Sequence, residues 1–583
     1  MFSNKRLSVL TGGAGTGKTT IVKAFLNSEQ IKRDGVLLLA PTGKARVRLA
    51  SMSETRNAQT IAQFLCSRGL YDFKTMRNIV PGANYQKYNE AATVIIDECS
   101  MITSFDFYVL LKSLDLVAVK RIILIGDPNQ LPPIGAGKPF SDLCNYLSSS
   151  DDESLKGAIT QLNTIVRTIK SGESDVQMLA SWFSGKILQK DADMVFDKII
   201  DNKLNSDLSV YYWTDENDIK EQLNEVLEKE LTYSGKTLDD RIKCTLGLDN
   251  INNAVKHPEL VERMQVLSPV KNPLWGTYQI NLYFQEWLRQ NKNSHKTLIH
   301  PNNYYFGDKI IQLKNDSKPS YPGNNKVQLS NGQIGFVKYA DKDTAQVVFS
   351  GLPNKSFYYN PLHSEENNSQ IDLAYAITVH KSQGSDFDTV IVVLPKSGKI
   401  LSRELIYTAL TRAKVKLILL IQDDISWLRG YTQPQTSVLA LRNSNMFTFT
   451  VREERNSIPF AEGLIHRAKK KGLIVRSKSE LIIADHLYNE GIEFEYEKLL
   501  EEGGHRFIPD FSFEDASGDR IIWEHLGMLD IPAYRQAWER KKELYKKIGF
   551  VEGENLFVTR DHENGSFYSQ DVINVIEKIK ELI

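Results

Sequence analysis

A chain of 583 residues is too long for one hydrophobic core and predicts roughly three to five folding units at about 100 to 200 residues each. Its 72 Lys and Arg balance 72 Asp and Glu, so the total charge exerts no long-range pull on nucleic acid, and any such binding has to come from local patches. Hydrophobic residues at 41%, with no low-complexity run and no stretch of about 18 apolar residues, argue against a long disordered tail and against a membrane span.

The first apolar run, Leu7 to Leu10, leads into Thr-Gly-Gly-Ala-Gly-Thr-Gly-Lys-Thr-Thr at 11 to 20 and then into the helical pattern Ile21-Val22-Lys23-Ala24-Phe25. Strand, glycine-rich loop and helix in this order predict a P-loop. Backbone N–H groups of Gly12, Gly13, Ala14, Gly15, Thr16 and Gly17 would close around phosphate oxygens, with Thr20 ending the loop. Lys18 would reach the β- and γ-phosphates and Thr19 would ligate Mg²⁺. Further short runs at Val36 to Ala40, Val94 to Ile96 and Ile122 to Ile125, separated by helical stretches, predict a parallel sheet covered on both faces. Ligands gather at the carboxyl ends of such strands. Each of these ends is polar: Pro41-Thr42-Gly43-Lys44, Asp97-Glu98, and Gly126-Asp127-Pro128-Asn129-Gln130. Asp97 is expected to hold Mg²⁺ and Glu98 to orient and deprotonate the attacking water; a plain helix cap is the alternative. Gln130 is expected beside the γ-phosphate.

Cys66, Cys99, Cys144 and Cys244 form no CxxC pair, which argues against zinc, iron–sulfur and disulfide frameworks and fits a reduced, cytoplasmic setting. The start, Met1 to Arg6, runs directly into the first strand, so no signal peptide is expected.

Taken together, the strings at 12 to 20, 40 to 45, 59 to 62, 96 to 101, 126 to 135, 164 to 167, 307 to 316, 331 to 335, 374 to 384 and 407 to 414 resemble, in order, the RecD/TraI/Dda-like group of superfamily 1B DNA helicases. The resemblance covers roughly residues 5 to 425. It implies an α/β fold of two RecA-like parallel-sheet motor domains, one at 1–150 with a β-hairpin insertion near 68–90, the other at 151–304 and 366–430, with a small SH3-like β-barrel inserted at 305–365. By the same resemblance Arg167 and Arg412 are the cations that reach the γ-phosphate on lobe closure, and Gln383 senses that phosphate. Thr42, Lys44, Thr60, His380 and Lys381 match positions that grip single-stranded DNA; a structural histidine is the alternative for His380. In the Leu70 to Tyr88 stretch, Pro81-Gly82 is the expected turn, and Tyr71, Phe73, Tyr85 and Tyr88 either meet the duplex or pack internally. ATP and Mg²⁺ are the implied cofactors. Single-stranded and tailed double-stranded DNA are the implied partners, with 5′ to 3′ movement. Members of the group read adenine through a glutamine upstream of the P-loop; here about ten residues precede the loop, so this element implies nothing about base preference.

After a linker at 431–455, residues 456–583 show a helix from Glu480, then Glu493-Phe494-Glu495-Tyr496, Phe507-Ile508-Pro509-Asp510-Phe511 and Ile521-Ile522-Trp523-Glu524-His525. This order resembles the PD-(D/E)xK nucleases, with their α/β restriction-endonuclease-like domain. It implies Glu480, Asp510 and Glu524 as Mg²⁺ ligands. The usual lysine position is Leu526, and Lys541 on the following helix is the expected substitute. The charge run Arg467 to Lys471 is expected as a solvated helix face, with a DNA-tracking role as the alternative. The composite expectation is an ATP-dependent helicase joined to a Mg²⁺-dependent nuclease, working in DNA repair, recombination or phage defence, with a protein partner in such a complex. Two alternatives stay open: a C-terminal domain that binds DNA or a partner without cutting, and an assembly subunit whose ATP binding switches a partner complex.

Overall fold

The structure, a computed structural model, describes residues 5–52, 58–72, 77–150, 152–163, 174–185, 194–231, 235, 237–272, 274–289, 296–299, 302–360, 370–396, 400–442, 466–470, 473–475, 477–515, 517–527, 529, 532–561 and 567–583. The first lobe is built on β1 (Leu7–Gly12), β2 (Val36–Ala40), β3 (Ala58–Thr60), β4 (Thr93–Ile96), β5 (Arg121–Gly126) and β6 (Ile159–Leu162). All six are parallel, in the order β3-β2-β4-β5-β1-β6. Side chains alternate across a strand, so a run buried on both faces has to be apolar throughout. Leu10, Leu38, Ile95, Ile123 and Ile125 pack on one side with Val22, Leu26 and Leu49, whereas Val9, Leu37, Leu39, Val94, Ile96 and Leu124 pack on the other. The sixth strand corrects the expected boundary at 150: the edge of β1 needs a partner for its backbone groups, and Ile159–Leu162 supplies it.

The inserted hairpin pairs Tyr71–Asp72 with Arg77–Asn78. Residues 73–76, Phe73 among them, lie outside the described residues, and Pro81-Gly82 lies beyond the second strand rather than between the two. Tyr85 and Tyr88 pack on the first-lobe core, Tyr88 edge-on to Phe64 at 5.4 Å, so internal packing describes these two rings.

The second lobe contains β7 (Leu208–Trp213), β8 (Met264–Ser268), β9 (Ala376–Thr378), β10 (Phe387–Leu394) and β11 (Ala413–Gln422), parallel in the order β9-β8-β10-β11-β7. Between β8 and β9 the chain leaves to form a five-stranded antiparallel sheet from Lys309–Gln312, Ile334–Ala340, Ala345–Phe349, Phe357–Tyr359 and Ile371–Leu373. Its last strand lies past the boundary expected at 365, because Lys309–Gln312 takes it as its second neighbour.

Both lobes belong to one compact unit. The second unit gathers three stretches, Asp175–Asn205, Asp424–Ser437 and Val451–Ile583. The first two lie in or next to what was expected to be the second motor domain. Their apolar side chains explain the difference: Phe183, Val195 and Phe196 are buried here, with Trp182 edge-on to Phe196 at 5.2 Å and the Arg429 guanidinium 4.5 Å from the Phe196 ring. The sheet of this unit runs β12 (Glu495–Tyr496), β13 (Phe511–Glu514), β14 (Arg520–Leu526) and β15 (Leu556–Arg560), antiparallel except for β14 with β15. Ile521 and Trp523 face two helices, Lys478–Asn489 and Ser569–Leu582. Ile522 and Leu526 face the helix Pro532–Lys547 through Trp538 and Tyr545. The period of two therefore turns Glu524 towards Pro532–Lys547. The described part of the charge run, 467–470, is not a helix: His466–Arg467 pairs antiparallel with Ile474–Val475, and Lys470 is held by Glu493 and the Phe494 carbonyl. Among the described residues no helix is long and apolar enough to cross a membrane.

Candidate active site

The loop after β1 turns through left-handed glycines, Gly15 at φ 76° and Gly17 at φ 85°, and delivers the chain into α1 (Lys18–Leu26). At Gly12 the packing leaves no room for a side chain: a Cβ would lie 2.5 Å from the Thr16 hydroxyl, which itself donates to the Gly13 carbonyl at 2.9 Å. Lys18 Nζ folds over the loop and donates to the Gly12 and Gly13 carbonyls at 2.6 and 2.9 Å. Ala14 sits in the turn, and Thr20 is exposed in the first turn of α1. Thr19 Oγ1 accepts a hydrogen bond of 2.8 Å from Arg48, on α2 (Gly43–Met52).

At the end of β4, Asp97 Oδ1 accepts from the Glu98 backbone N–H at 2.9 Å, and Glu98 itself lies at φ 53°, ψ 42°. A non-glycine residue in the left-handed region costs roughly 1–3 kcal/mol, a strain typical of functional positions. Burial pushes the Asp97 carboxyl up, opposed by Arg48, the Glu98 N–H and Lys18. Burial and Asp97 push Glu98 up, opposed by Lys18, Arg412 and Arg48. Three cations therefore converge on the acid pair, and Arg412 from the second lobe is one of them. Gln130, 5% exposed, approaches Asp127 with Nε2 at 3.5 Å, while its Oε1 finds no hydrogen-bond partner among the described residues.

The second lobe reaches this site through α3 (Arg403–Leu410) and the turn after it. Tyr407 donates to Asp127 Oδ2 at 2.9 Å, the Leu131 N–H donates to Thr408 Oγ1 at 3.0 Å, and Gln383 Nε2 donates to the Leu131 carbonyl at 3.0 Å. A Cβ on Gly13 would meet the Tyr407 hydroxyl at 3.0 Å. Arg412, 2% exposed, is aimed by the Thr408 and Ser385 carbonyls at 2.9 and 3.0 Å. Arg167 lies outside the described residues. Asp127, Tyr407, Thr408 and Arg48 are site residues that sequence reasoning passed over, although Tyr407 and Thr408 stand in the same string as Arg412 and Arg48 follows Lys44 by one helical turn.

The expected DNA contacts take varied local roles. Thr42 Oγ1 caps α2 through the Ala45 N–H at 3.2 Å, and Lys44 pairs with Glu262 at 2.8 Å across the lobes. Thr60 is buried, and its hydroxyl and backbone N–H form a capping box with Gln63 at the start of the helix Ile61–Ser67. His380 is half-buried with its imidazole pushed down by burial, and Lys381 is exposed.

A second cluster sits in the C-terminal unit. Lys541 Nζ lies 2.8 Å from Glu524 Oε1 and 3.1 Å from Oε2, and it donates to the Ile508 carbonyl at 3.0 Å. The fully buried Tyr545, one turn further on, also donates to Glu524. Asp510 Oδ2 accepts from the His525 N–H at 2.6 Å, and Tyr496 donates to Glu480 Oε2 at 2.5 Å. Burial, then Glu524 and Glu480, push the Asp510 carboxyl well above its usual range, opposed by Lys541 and the His525 N–H. The expected acids and the expected lysine thus share one neighbourhood, with Leu526 in the core. The metal set does not assemble as expected: among the described residues no three His, Cys, Asp or Glu side chains converge to hold an ion. Glu524 has both oxygens engaged, by Lys541 and Tyr545, and Glu480 and Asp510 each have one oxygen occupied. As placed, the three acids do not fit a divalent cation. Thr19 and Asp97 offer hard oxygens of the kind a divalent cation takes, but Thr19 Oγ1 here accepts from Arg48, whose guanidinium also stands 3.9 Å from Glu98.

Residues 1–189 match the AAA domain family, and residues 373–420 match the UvrD-like helicase C-terminal domain. Uncharacterized protein MJ1519 of Methanocaldococcus jannaschii is 30% identical over 99% of this chain and 50% of its own length. The ATP-dependent RecD2 DNA helicase of Deinococcus radiodurans is 28% identical over 71% of this chain and 46% of its own. The chain spans about half the length of these curated relatives. A crystal structure of Bacteroides Pif1 helicase with ADP-AlF3 and single-stranded DNA aligns over 72% of this chain and 90% of that one, at 17% identity and a TM-score of 0.38, too loose a likeness to build on. Over its two α/β lobes the chain is therefore similar to an AAA domain, to a UvrD-like helicase C-terminal domain and to a relative named as a RecD2 DNA helicase.

Proposed function

We propose that this chain hydrolyses ATP to move 5′ to 3′ along single-stranded DNA and to unwind tailed duplexes. One observation carries the reading: the second lobe meets the P-loop side of the first through Tyr407, Thr408 and Gln383, with Arg412 within electrostatic reach of Glu98. In this scheme Lys18 leaves the Gly12 and Gly13 carbonyls to bind the terminal phosphates. Glu98 takes a proton from the attacking water, Gln130 offers its unpaired Oε1 to orient that water, and Arg412 and Arg167 balance the charge that develops. Mg²⁺, held by Thr19 and Asp97, would supply further charge neutralisation at the phosphates. Closure and reopening of the lobes shift DNA past Thr42, Lys44, His380 and Lys381, with the 71–78 hairpin at the duplex end and the five-stranded insertion as an SH3-like barrel. The work would take place in the cytoplasm, within a repair, recombination or defence complex.

For the C-terminal unit the finer reading is a nuclease of the PD-(D/E)xK type, resting on the nearness of Glu480, Asp510, Glu524 and Lys541. A second reading has its own observation: Glu524 is closed off by Lys541 and Tyr545, which suits a unit that holds DNA or a partner without cutting. One experiment tests all of this. Duplexes with 5′ or 3′ tails are incubated with ATP and Mg²⁺, and strand separation and strand cutting are scored together for the wild type, Lys18→Ala and Asp510→Ala. Unwinding of 5′-tailed DNA that Lys18→Ala abolishes supports the motor, and cutting that Asp510→Ala abolishes supports the nuclease. Absence of unwinding overturns the first reading, and absence of cutting replaces the nuclease with the binding module.

A further inference from the structure

We propose that Arg48 is a positioning residue that restrains the catalytic end of the nucleotide site and releases it when DNA engages the start of its own helix. This rests on the motor reading above. α2 begins at a strand end, with Thr42 as its cap; Lys44 lies in the first turn, and Arg48 follows at i+4 on the same face. One short, stiff element therefore carries two proposed DNA contacts at one end and a guanidinium in the catalytic site at the other.

That guanidinium holds one group that hydrolysis needs and stands near a second. It donates to Thr19 Oγ1 at 2.8 Å, and its other terminal nitrogen stands 3.9 Å from Glu98 Oε1. A hydroxyl oxygen that accepts from a guanidinium is a poor ligand for a divalent cation, because a lone pair is taken and a positive charge stands beside it. Arg48 has to withdraw from Thr19 before that oxygen can serve, and its side chain has room to do so, being 38% exposed. Lys44 supplies the trigger: its ammonium is paired with Glu262 of the second lobe, and a DNA phosphate competing for it would shift the first turn of α2.

The test uses the full chain. Binding of a fluorescent ADP analogue is titrated with Mg²⁺, and ATPase turnover is measured with and without saturating single-stranded DNA, for wild type, Arg48→Ala and Arg48→Lys. Loss of one charge-assisted hydrogen bond is expected to lower the Mg²⁺ needed for half-maximal binding about tenfold in Arg48→Ala. DNA-free turnover is expected to rise by a similar factor while DNA-stimulated turnover stays within about twofold, so the stimulation ratio shrinks. Arg48→Lys, which restores the charge, moves the Mg²⁺ requirement back towards wild type. An unchanged Mg²⁺ requirement, or a fall of both turnover rates together, overturns the proposal. A wild type whose turnover ignores DNA overturns the motor reading instead, and the Mg²⁺ titration still reports on the Arg48–Thr19 contact.

Discussion

Replacing Tyr407 by Phe removes one hydroxyl from the junction between the lobes and leaves the ring in place. That hydroxyl donates to Asp127 Oδ2 at 2.9 Å, and burial together with Asp127 pushes its ionisation well above the usual range, so it remains a donor at any working pH. A hydrogen bond to a charged group contributes about 1.5–3 kcal/mol. Asp127 keeps the Asn129 N–H at 3.1 Å and a weak approach from Gln130 at 3.5 Å, which places the loss near the lower end of that range. At about 1.4 kcal/mol per factor of ten, kcat/KM for ATP in the presence of single-stranded DNA should fall roughly ten- to thirtyfold. Steady-state ATPase assays at saturating DNA measure it directly. In a double-mutant cycle with Asp127→Asn the two losses should fall well short of adding, since both remove the same bond. Kinetic constants within twofold of wild type, or strict additivity, would refute the idea that this contact holds the closed form.

Three further outcomes follow from the same geometry. Thr60→Ala removes a helix cap worth about 1 kcal/mol, so hydrogen exchange at the first amides of Ile61–Ser67 should quicken about fivefold, whereas Thr60→Ser should keep wild-type protection. Lys309, fully buried, is pushed down to about 7 by burial, with Lys44 adding and Glu262 opposing. The unfolded chain then binds the extra proton between about 7 and the ordinary 10.5, so this residue adds stability as pH rises through that window, and the melting curve of Lys309→Met should show a flatter rise. Asp510 carries a raised carboxyl, so its contribution to stability is lost as pH climbs out of the acidic range; Asp510→Asn should melt above wild type at neutral pH, with the gap closing on acidification.

The chemistry at the strand ends was legible because each short apolar run is followed at once by the residues that use a parallel sheet's carboxyl edge. Asp97, Glu98 and Gln130 stand at the strand ends that this rule picks out, and Lys18 follows from the P-loop spacing after the first strand. What pattern could not supply was the mate of each group across the lobes. Nothing near Gly13 in the chain announces the Tyr407 hydroxyl, and nothing near Leu131 announces Thr408. Thr60 shows a different limit. Its capping box with Gln63 is a local signal written in the sequence, whereas the resemblance of the string 59–62 implies a DNA-gripping role, and the burial of Thr60 favours the local use. The edge strand Ile159–Leu162 carries little apolar signal, being at most half-buried and four residues long.

The C-terminal unit shows why a boundary drawn from composition misleads. Residues 456–583 carry recognisable acids and a strand pattern, and so look like a module hung on one linker. In the fold that module incorporates two earlier stretches, and the first of these leaves the chain between β6 and β7, the strands where one lobe's sheet ends and the next begins. Its ends are pinned together: Asp175 accepts from the Asn205 N–H at 2.6 Å and pairs with Lys198 at 2.8 Å, while just outside the stretch Ser174 donates to Asp207 at 2.6 Å. A closed excursion of this kind has too few apolar residues to fold alone, and Arg429 and Trp182 are among the residues that cover Phe196. Cutting the chain near 431 to isolate the motor would remove part of that cover and leave Trp182, Phe183, Val195 and Phe196 without the unit that buries them. The two units are separable as compact bodies but not as segments of sequence.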